Sequence, residues 1–518
     1  MPVSSWTRVV VGVTQLAVLI LVLACSEEHM DYPREPSWAY EDTADTYFGR
    51  ALAEEYQAHP GESGFLLLLE GTDALACRIR MAERAERSLD VQYYFILEDG
   101  TGYLFAQSLL EAADRGVRVR ILLDDISTSE HETGMATLVA HPNIEIRIFN
   151  PFSRRRPRFL DFVTDLGRVN HRMHNKSMTA DSQATIVGGR NIGDEYFGAR
   201  ADVNFDDLDV IGFGKVARDV SNSFDLYWNS DMAVPVAALL PEDHEPEPLE
   251  RLRTRWSTRV AEVDQTPYRE ALDQAVVVAI ERQADVLTWS PAQVVSDPPG
   301  KVLDDASKSD PGLLRSQLRP AVLAAKKELM VISPYFVPRE TGVEGFRKLR
   351  DNGLRVIVVT NSLASTDVTA VHAGYARYRK ELLEMGVEIW EVRATKTLRE
   401  LRRLKLGMSR SSLHTKAFVV DREKLFVGSF NWDPRSVEIN TEMGVFLDSP
   451  ELAEWTSDRV EEVLPRVAYL LRLDERGKIE WVWLEDGEQV VYTSEPEAGL
   501  AQRLGVNFYT LLPIEGQL

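Results

Sequence analysis

Two cysteines, Cys25 and Cys77, are all that 518 residues contain, so no disulfide framework organises this chain. Cys77 lies in the apolar, helix-like run A-L-A-C-R-I-R-M-A and reads as a buried, inert thiol. Positive charge is also scarce. The formal charge of −22 describes a surface that repels polyanions and offers no general field for drawing in nucleic acid, which argues against a nuclease. What remains is a globular composition, 44% hydrophobic, in a chain long enough for two or three domains.

One pattern occurs twice. Residues 173–191 read M-H-N-K-S-M-T-A-D-S-Q-A-T-I-V-G-G-R-N and residues 413–431 read L-H-T-K-A-F-V-V-D-R-E-K-L-F-V-G-S-F-N. His174 coincides with His414, Lys176 with Lys416, Asp181 with Asp421, Gly188 with Gly428 and Asn191 with Asn431. In a strand, residues two apart share a face, so each histidine projects together with its lysine. The run A-F-V-V reads as a buried strand, Asp421 begins a turn, and L-F-V-G returns as the next strand. Glycines at its end allow close backbone approach to a neighbour. Asn191 and Asn431 follow on loops, each with an amide able to hydrogen-bond an oxyanion.

The surroundings repeat as well. From Thr72 the pattern alternates: a helix near 73–86, the strand L-D-V-Q-Y-Y-F, a helix from 102 to 115, V-R-V-R-I-L-L, a helix near 133–140 and I-E-I-R-I-F. Such alternation predicts an α/β sandwich with a parallel or mixed sheet. After residue 268 the order returns: K-K-E-L-M-V-I-S-P-Y-F (326–336) parallels A-E-R-S-L-D-V-Q-Y-Y-F (85–95), and R-D-N-G-L-R-V-I-V-V-T (350–360) parallels A-D-R-G-V-R-V-R-I-L-L (113–123). A duplicated fold carrying a duplicated polar motif most simply places the two motifs face to face across an internal twofold. The expected division is a leader at 1–25, a tether at 26–60, a first domain at 61–232, a linker at 233–265 and a second domain at 266–518 whose C-terminal extension adds strands and packing.

The paired H-x-K-x4-D segments resemble the phospholipase D superfamily. G-G-R-N-I-G-D-E-Y-F (188–197), H-P-N-I-E-I-R-I-F-N-P-F (141–152) and G-S-F-N-W-D-P-R-S (428–436) are similar to bacterial cardiolipin synthases, the C subtype in particular. The resemblance covers roughly residues 45 to 518. It implies two tandem phospholipase D-like α/β/α sandwich domains with pseudo-twofold symmetry and one shared active site. It further implies a phosphatidyltransferase that makes cardiolipin from phosphatidylglycerol and a second phospholipid, phosphatidylglycerol or phosphatidylethanolamine; a phospholipase D-type hydrolase releasing phosphatidic acid is the alternative. An accessory membrane protein is a further partner that it admits.

The residues suit that chemistry. A phosphodiester repels nucleophiles, and two displacements through a histidine-bound intermediate answer this: one histidine attacks while the other protonates the departing oxygen. Lys176, Lys416, Asn191 and Asn431 would stabilise charge on the non-bridging oxygens. No Asp/Glu/His cluster with metal-ligand spacing lies near either motif, so no metal or cofactor is expected. Each histidine needs a carboxylate behind its other nitrogen. By the family pattern Glu442, in I-N-T-E-M-G-V-F, serves the second histidine; by hydrophobic alignment Asp207, in F-D-D-L-D-V-I-G, serves the first, with Asp206 and Asp209 as alternatives. Asp181 and Asp421 belong to the motif, but each sits at the strand's far end from its histidine, a place for fixing local structure. The nucleophile remains open between the histidines, and family practice favours His174. His372, with Tyr375, Tyr378 and Arg379, reads as packing or as the wall of an acceptor pocket.

Two basic clusters break the acidic average: Arg154, Arg155, Arg156 and Arg158 before the first motif, and Arg399, Arg402, Arg403, Lys405 and Arg410 before the second. They read either as solvated faces or as holders of anionic lipid headgroups. At the N-terminus, the apolar run after Arg8 is short for a bilayer span and is interrupted by Gln15, as in a signal peptide. Its end, V-L-A-C, resembles a lipoprotein cleavage site, which implies a bacterial envelope protein anchored through a lipidated Cys25, an uncleaved inner-membrane anchor being the alternative.

Overall fold

The strand signals become two large mixed sheets, one per half. A computed structural model describes residues 32–128, 132–154, 157–200, 204–240, 246–264, 268–269, 286–302, 310–394, 411–485, 488–510, 512 and 515–518. Cys25 and the leader, Arg155, Arg156 and the cluster at 399–410 lie outside the described residues.

The strands are β1 (Ser63–Leu68), β2 (Ser88–Tyr93), β3 (Arg118–Asp124), β4 (Ile144–Phe149), β5 (Ser177–Ala180), β6 (Ala184–Gly188), β7 (Asn204–Asp206), β8 (Asp209–Gly214), β9 (Ala233–Pro235) and β10 (Thr288–Ser290). Then come β11 (Ala292–Ser296), β12 (Glu328–Ile332), β13 (Arg355–Asn361), β14 (Glu388–Val392), β15 (Ser411–Leu413), β16 (Ala417–Val420), β17 (Lys424–Gly428), β18 (Met443–Asp448), β19 (Ala468–Leu473), β20 (Ile479–Glu485) and β21 (Glu488–Tyr492). The first sheet runs β10-β1-β8-β6-β5-β2-β3-β4-β9 and the second β11-β18-β17-β16-β12-β13-β14-β19-β20-β21. The series β1-β8-β6-β5-β2-β3-β4 and β11-β18-β17-β16-β12-β13-β14 match strand for strand, which is the duplication expected from the sequence.

The sheets pack against each other, and this explains the unbroken apolar runs. Both faces of the central strands are buried, so neither face can be polar. In β12, Met330 and Ile332 enter a cluster shared with Phe65, Val187 and Val210 of the first sheet, while Leu329 and Val331 face the second half's own outer core. β6 divides likewise: Val187 joins the shared cluster and Ile186 the first half's outer core. Helices Gly71–Arg84 and Gly100–Asp114 cover the outside of the first sheet, and Leu314–Leu323 and Arg339–Asp351 that of the second. Each fully buried Leu, Ile or Val in these layers contributes about 1.5–3 kcal/mol.

Two expectations about organisation fail. The stretch at 233–265 is no linker: β9 pairs with β4, Leu252 and Trp256 are buried in the first half's core, and β10 pairs with β1. Among the described residues the chain passes from the first large sheet to the second at Pro291, between β10 and β11. The described part of the tether is bound to the body as well. Arg120 Nη1 donates to Ser37 O at 2.8 Å, and Ala39 N donates to Asp225 Oδ2 at 2.8 Å. The C-terminal extension adds β20 and β21 to the second sheet and also contains the helix Leu500–Thr510.

Candidate active site

Each motif histidine stands just before a strand beside the shared core, His174 ahead of β5 and His414 ahead of β16. The backbone of each is tied to the opposite half. His174 N donates to Thr441 O at 2.9 Å, and Met173 and Thr441 form a parallel bridge. Symmetrically, β15 pairs in parallel with β7, Leu413 opposite Asp206, and His414 N donates to Asp206 O at 2.7 Å. The residue after each of those acceptors is a carboxylate. The two motifs are thus sewn to the backbone immediately before Glu442 and Asp207.

The carboxylates consequently pair in the crossed sense, which corrects the assignment expected within each half. Glu442 receives His174, whose Nδ1 lies 3.0 and 2.9 Å from Oε1 and Oε2, and Asp207 receives His414, with Nδ1 2.5 Å from Oδ2. The alternatives are otherwise engaged: Asp209 is ion-paired to buried Arg78 at 2.8 Å, and Asp206 supplies its carbonyl to the His414 segment. With Nδ1–H given to a carboxylate, each ring presents Nε2 as the free base. Burial lowers the His174 pKa to about 4 although Glu442 pulls it up, and burial with the nearby Lys416 lowers that of His414. Burial opposes ionisation of both carboxylates, but the His174 charge beside Glu442 and the Lys416 and His414 charges beside Asp207 keep them below their ordinary values.

Both lysines are buried and point to the same region. Lys176 Nζ donates to His174 O at 2.7 Å; Lys416 Nζ donates to His414 O and lies 2.9 Å from His414 Nδ1. Burial pushes Lys176 down to about 7, and each lysine's geometry leaves further N–H directions for a ligand. Asn191 Nδ2 donates to Tyr196 Oη at 3.1 Å, while the buried amide oxygens of Asn191 and Asn431 have no hydrogen-bond partner among the described residues.

Asp181 and Asp421 are placed elsewhere, where their strand positions put them. Asp181 accepts the backbone N–H of Glu86, Arg87 and Ser88, and Asp421 those of Lys326, Lys327 and Glu328. Both have positive φ, 51° and 57°, in the turn. They anchor β2 and β12 and reach no group of the site. Gly188 and Gly428 are steric necessities: a Cβ on Gly188 would lie 2.0 Å from Asp209 Oδ1 and one on Gly428 2.3 Å from Met443 O. Gly189 leaves room for the catalytic-side carboxylate, since a Cβ there would meet Asp207 Oδ1 at 2.2 Å. Its counterpart Ser429 instead donates to Glu442 at 2.5 Å.

Several supporting residues were not singled out from the sequence. Asp124, at the end of β3, accepts Met173 N at 2.8 Å; Asn361, at the same place in β13, accepts Leu413 N at 3.0 Å and donates to Leu413 O. Tyr94 meets His174 edge-on at 5.2 Å and Tyr196 meets His414 at 5.3 Å. Ser436 adds a second hydroxyl on Glu442 at 2.7 Å. The alignment of the two halves held the signal for Asp124 and Asn361, because both close the strand after the R-G-V or N-G-L turn. Two readings left open for polar residues are narrowed. Arg154 and Arg158 are not free headgroup clamps, since both pair with buried Asp125, at 2.6 and 3.1 Å. His372 and Arg379 belong to a closed network with Glu495, and Arg379 also with Glu391 and Tyr375, so no acceptor pocket forms there.

Against known proteins, the family model described as "Cardiolipin synthase, PLD-like domain" matches residues 78–228 and 318–464. The chain belongs to this phospholipase D-like cardiolipin synthase family. Its two matches bracket the two H-x-K motifs, one each. Within the family, the chain is 39% identical over 469 residues to cardiolipin synthase C of Escherichia coli, covering 88% of this chain and 96% of that protein. It is 25% identical over 401 residues to a cardiolipin synthase of Geobacillus kaustophilus, covering 76% of this chain and 65% of the relative. The fold is similar to that of a solved phosphatidylserine synthase of Haemophilus influenzae, with a TM-score of 0.57 at 13% identity over 90% of this chain and all of that one.

Proposed function

We infer that this protein is a phospholipase D-superfamily phosphatidyltransferase that makes cardiolipin by moving a phosphatidyl group onto phosphatidylglycerol. The observation that carries the reading is the crossed pair, His174 on Glu442 and His414 on Asp207, which joins both motifs into one site in a chain of the cardiolipin synthase family. His174 Nε2 attacks the phosphorus of the donor lipid, and His414, once protonated, gives its proton to the departing headgroup oxygen. The acceptor hydroxyl of phosphatidylglycerol then returns its proton to His414 and attacks the phosphatidyl-histidine. Glu442 and Asp207 hold each ring by Nδ1 and balance the positive charge that it acquires. Lys176 and Lys416, with the amides of Asn191 and Asn431 turned NH2-inward, bind the non-bridging oxygens as charge builds there. These fixed donors take the part that a metal plays in other phosphotransferases.

The donor is phosphatidylglycerol or phosphatidylethanolamine, and the enzyme works at the bacterial envelope membrane, held there by a lipidated Cys25. Among the described residues no helix is long and apolar enough to cross a membrane. The test is incubation of the purified protein, in mixed micelles without added metal, with labelled phosphatidylglycerol, with and without phosphatidylethanolamine. Cardiolipin formed by the wild type and lost in His174→Ala and His414→Ala is the expected result, and its dependence on phosphatidylethanolamine names the donor. Phosphatidic acid as the only product reassigns the protein as a hydrolase. Incorporation of labelled fatty acid, abolished by Cys25→Ser, tests the anchor.

A further inference from the structure

Two helices beside the site are built inside out. In an ordinary surface helix the apolar stripe faces the core and the polar side chains face water. In Leu500–Thr510 two polar side chains are tied inward: Gln502 Nε2 donates to Leu363 O at 3.1 Å and Arg503 Nη2 to Glu495 O at 2.7 Å. Leu500, Leu504 and Phe508, spaced four apart on one face, are 59–75% exposed. The helix Arg158–Thr164 repeats the inversion. Its acid, Asp161, is fully buried and accepts Ser153 N at 2.8 Å, while Phe159 and Val163 are 65% and 69% exposed, with Phe162 and Leu166 beside them.

Both helices lead in the chain toward one junction between the halves. The chain leaving Leu166 reaches Asn170, four residues before His174, and Asn170 Nδ2 donates to Gln517 Oε1 at 2.7 Å. Arg435, four residues after Asn431, ties Asn170 to the C-terminus: its guanidinium donates to Asn170 O at 2.8 Å and to Asn170 Oδ1 at 3.2 Å, and its backbone N–H donates to Leu518 O at 2.8 Å. The two helices thus lead, along the chain, to a junction whose residues lie within four positions of His174 and Asn431. In a chain with 81 acidic residues the helix Leu500–Thr510 contains none, so its outward face adds no repulsion toward an anionic surface.

We propose that these two inverted helices form the face by which the protein rests on a lipid bilayer, with Leu500, Leu504, Phe508, Phe159 and Val163 entering the acyl layer and the Asn170–Arg435 junction at headgroup level. Exposed apolar side chains whose polar neighbours are tied inward match a bilayer interface, apolar below and hydrogen-bonding above. The arrangement delivers a phospholipid headgroup to the buried histidines while its acyl chains stay in the membrane. The identity of the lipid substrate rests on the function proposed above; the docking face does not need turnover to be tested.

Two measurements on the full chain decide it. Leu504→Cys and Val163→Cys proteins, each carrying an environment-sensitive fluorophore, are mixed with phosphatidylglycerol/phosphatidylethanolamine vesicles containing acyl-chain spin labels, and the unsubstituted chain labelled in parallel gives the background from Cys25 and Cys77. Strong quenching at both positions is expected; none at either overturns the proposal, as does shielding of both by a bound protein when vesicles are absent. The second is turnover by Leu504→Glu/Phe508→Glu with vesicular and with monomeric short-chain phosphatidylglycerol. A loss of about tenfold or more on vesicles is expected, with the monomeric rate within about twofold of wild type, because only partitioning has changed. Equal vesicle rates, or equal losses on both substrates, overturn it. Leu226→Glu, an exposed site on the helix Lys215–Trp228, serves as control and keeps its vesicle rate. A wild type that turns over neither substrate, yet is quenched at both labels, sinks the function and leaves the docking face standing.

Discussion

Replacing Glu442 by Gln separates the crossed pairing from the pairing within each half. Glu442 is fully buried, and its two oxygens face three donors: His174 Nδ1 at 2.9 Å, Ser429 Oγ at 2.5 Å and Ser436 Oγ at 2.7 Å. Glutamine keeps the shape but offers one carbonyl oxygen and an NH2, so at least one donor meets another donor. The lost charge-assisted hydrogen bond costs about 1.5–3 kcal/mol, before the counter-ion to a His174 ring turning cationic is considered. Adding a further ~1–2 kcal/mol for that buried charge gives roughly 3–5 kcal/mol, a fall of about 10²–10⁴ in kcat at 1.36 kcal/mol per tenfold. Rapid-quench single turnover on labelled phosphatidylglycerol is the assay. With His174 as nucleophile, Glu442→Gln slows formation of the phosphatidyl-histidine, whereas Asp207→Asn, acting on His414, slows both proton transfers. Imidazole ¹⁵N spectra, feasible with only nine histidines, report the pairing without turnover: Glu442→Gln shifts His174 and leaves His414 in place. A rate loss under about tenfold, or a response at His414 with none at His174, refutes the reasoning.

Further outcomes follow from the same geometry. The pH profile of kcat/KM, which reports the free enzyme, falls below about 4 as His174 is protonated and falls again on the alkaline side as His414, held below the ordinary imidazole value by burial and Lys416, loses the proton it donates and as Lys176 loses its charge at about 7; Lys176→Arg removes only the Lys176 part of the alkaline fall. Gly189→Ala, whose Cβ would lie 2.2 Å from Asp207 Oδ1, displaces that carboxylate from His414 and lowers kcat about a hundredfold, while Gly61→Ala, in open space, leaves kcat alone and shows only the cost of its positive φ in a melting curve. Burial raises Asp433 to about 7 in the folded protein, above its unfolded value of 3.8, so the stability it contributes is complete below pH 4 and is lost as pH rises through 7. Asp433→Asn escapes that loss, and its stability relative to wild type in urea titrations grows by about 1–3 kcal/mol between pH 5 and pH 8. Asp421→Ala strips the acceptor from three backbone N–H groups, costs about 2–4 kcal/mol in denaturation midpoints, and leaves kcat of the remaining folded enzyme within about threefold.

The sequence by itself determined a great deal here, because the fold is a duplication. Two copies of H-x-K-x4-D with the same trailing G-[GS]-x-N marked the candidate side chains, and period-two spacing put each histidine with its lysine. The alternation of helices and strands gave both sheets, and the strand-end position of Asp181 and Asp421 foretold that they would hold backbone rather than substrate. A local pattern describes what is near in the chain. It is silent about contacts between residues more than 200 apart, and the bond of His414 to Asp207, like that of His174 to Glu442, is of that kind. On sequence grounds each acid is assigned to the histidine of its own half. Only the parallel pairing of β15 with β7 and the Met173–Thr441 bridge, formed when the two sheets bury their inner faces on each other, bring each acid to the opposite histidine. The fate of Arg154 and Arg158 was decided in the same way, by buried Asp125, a charge that folding had to neutralise before any ligand could claim its partners.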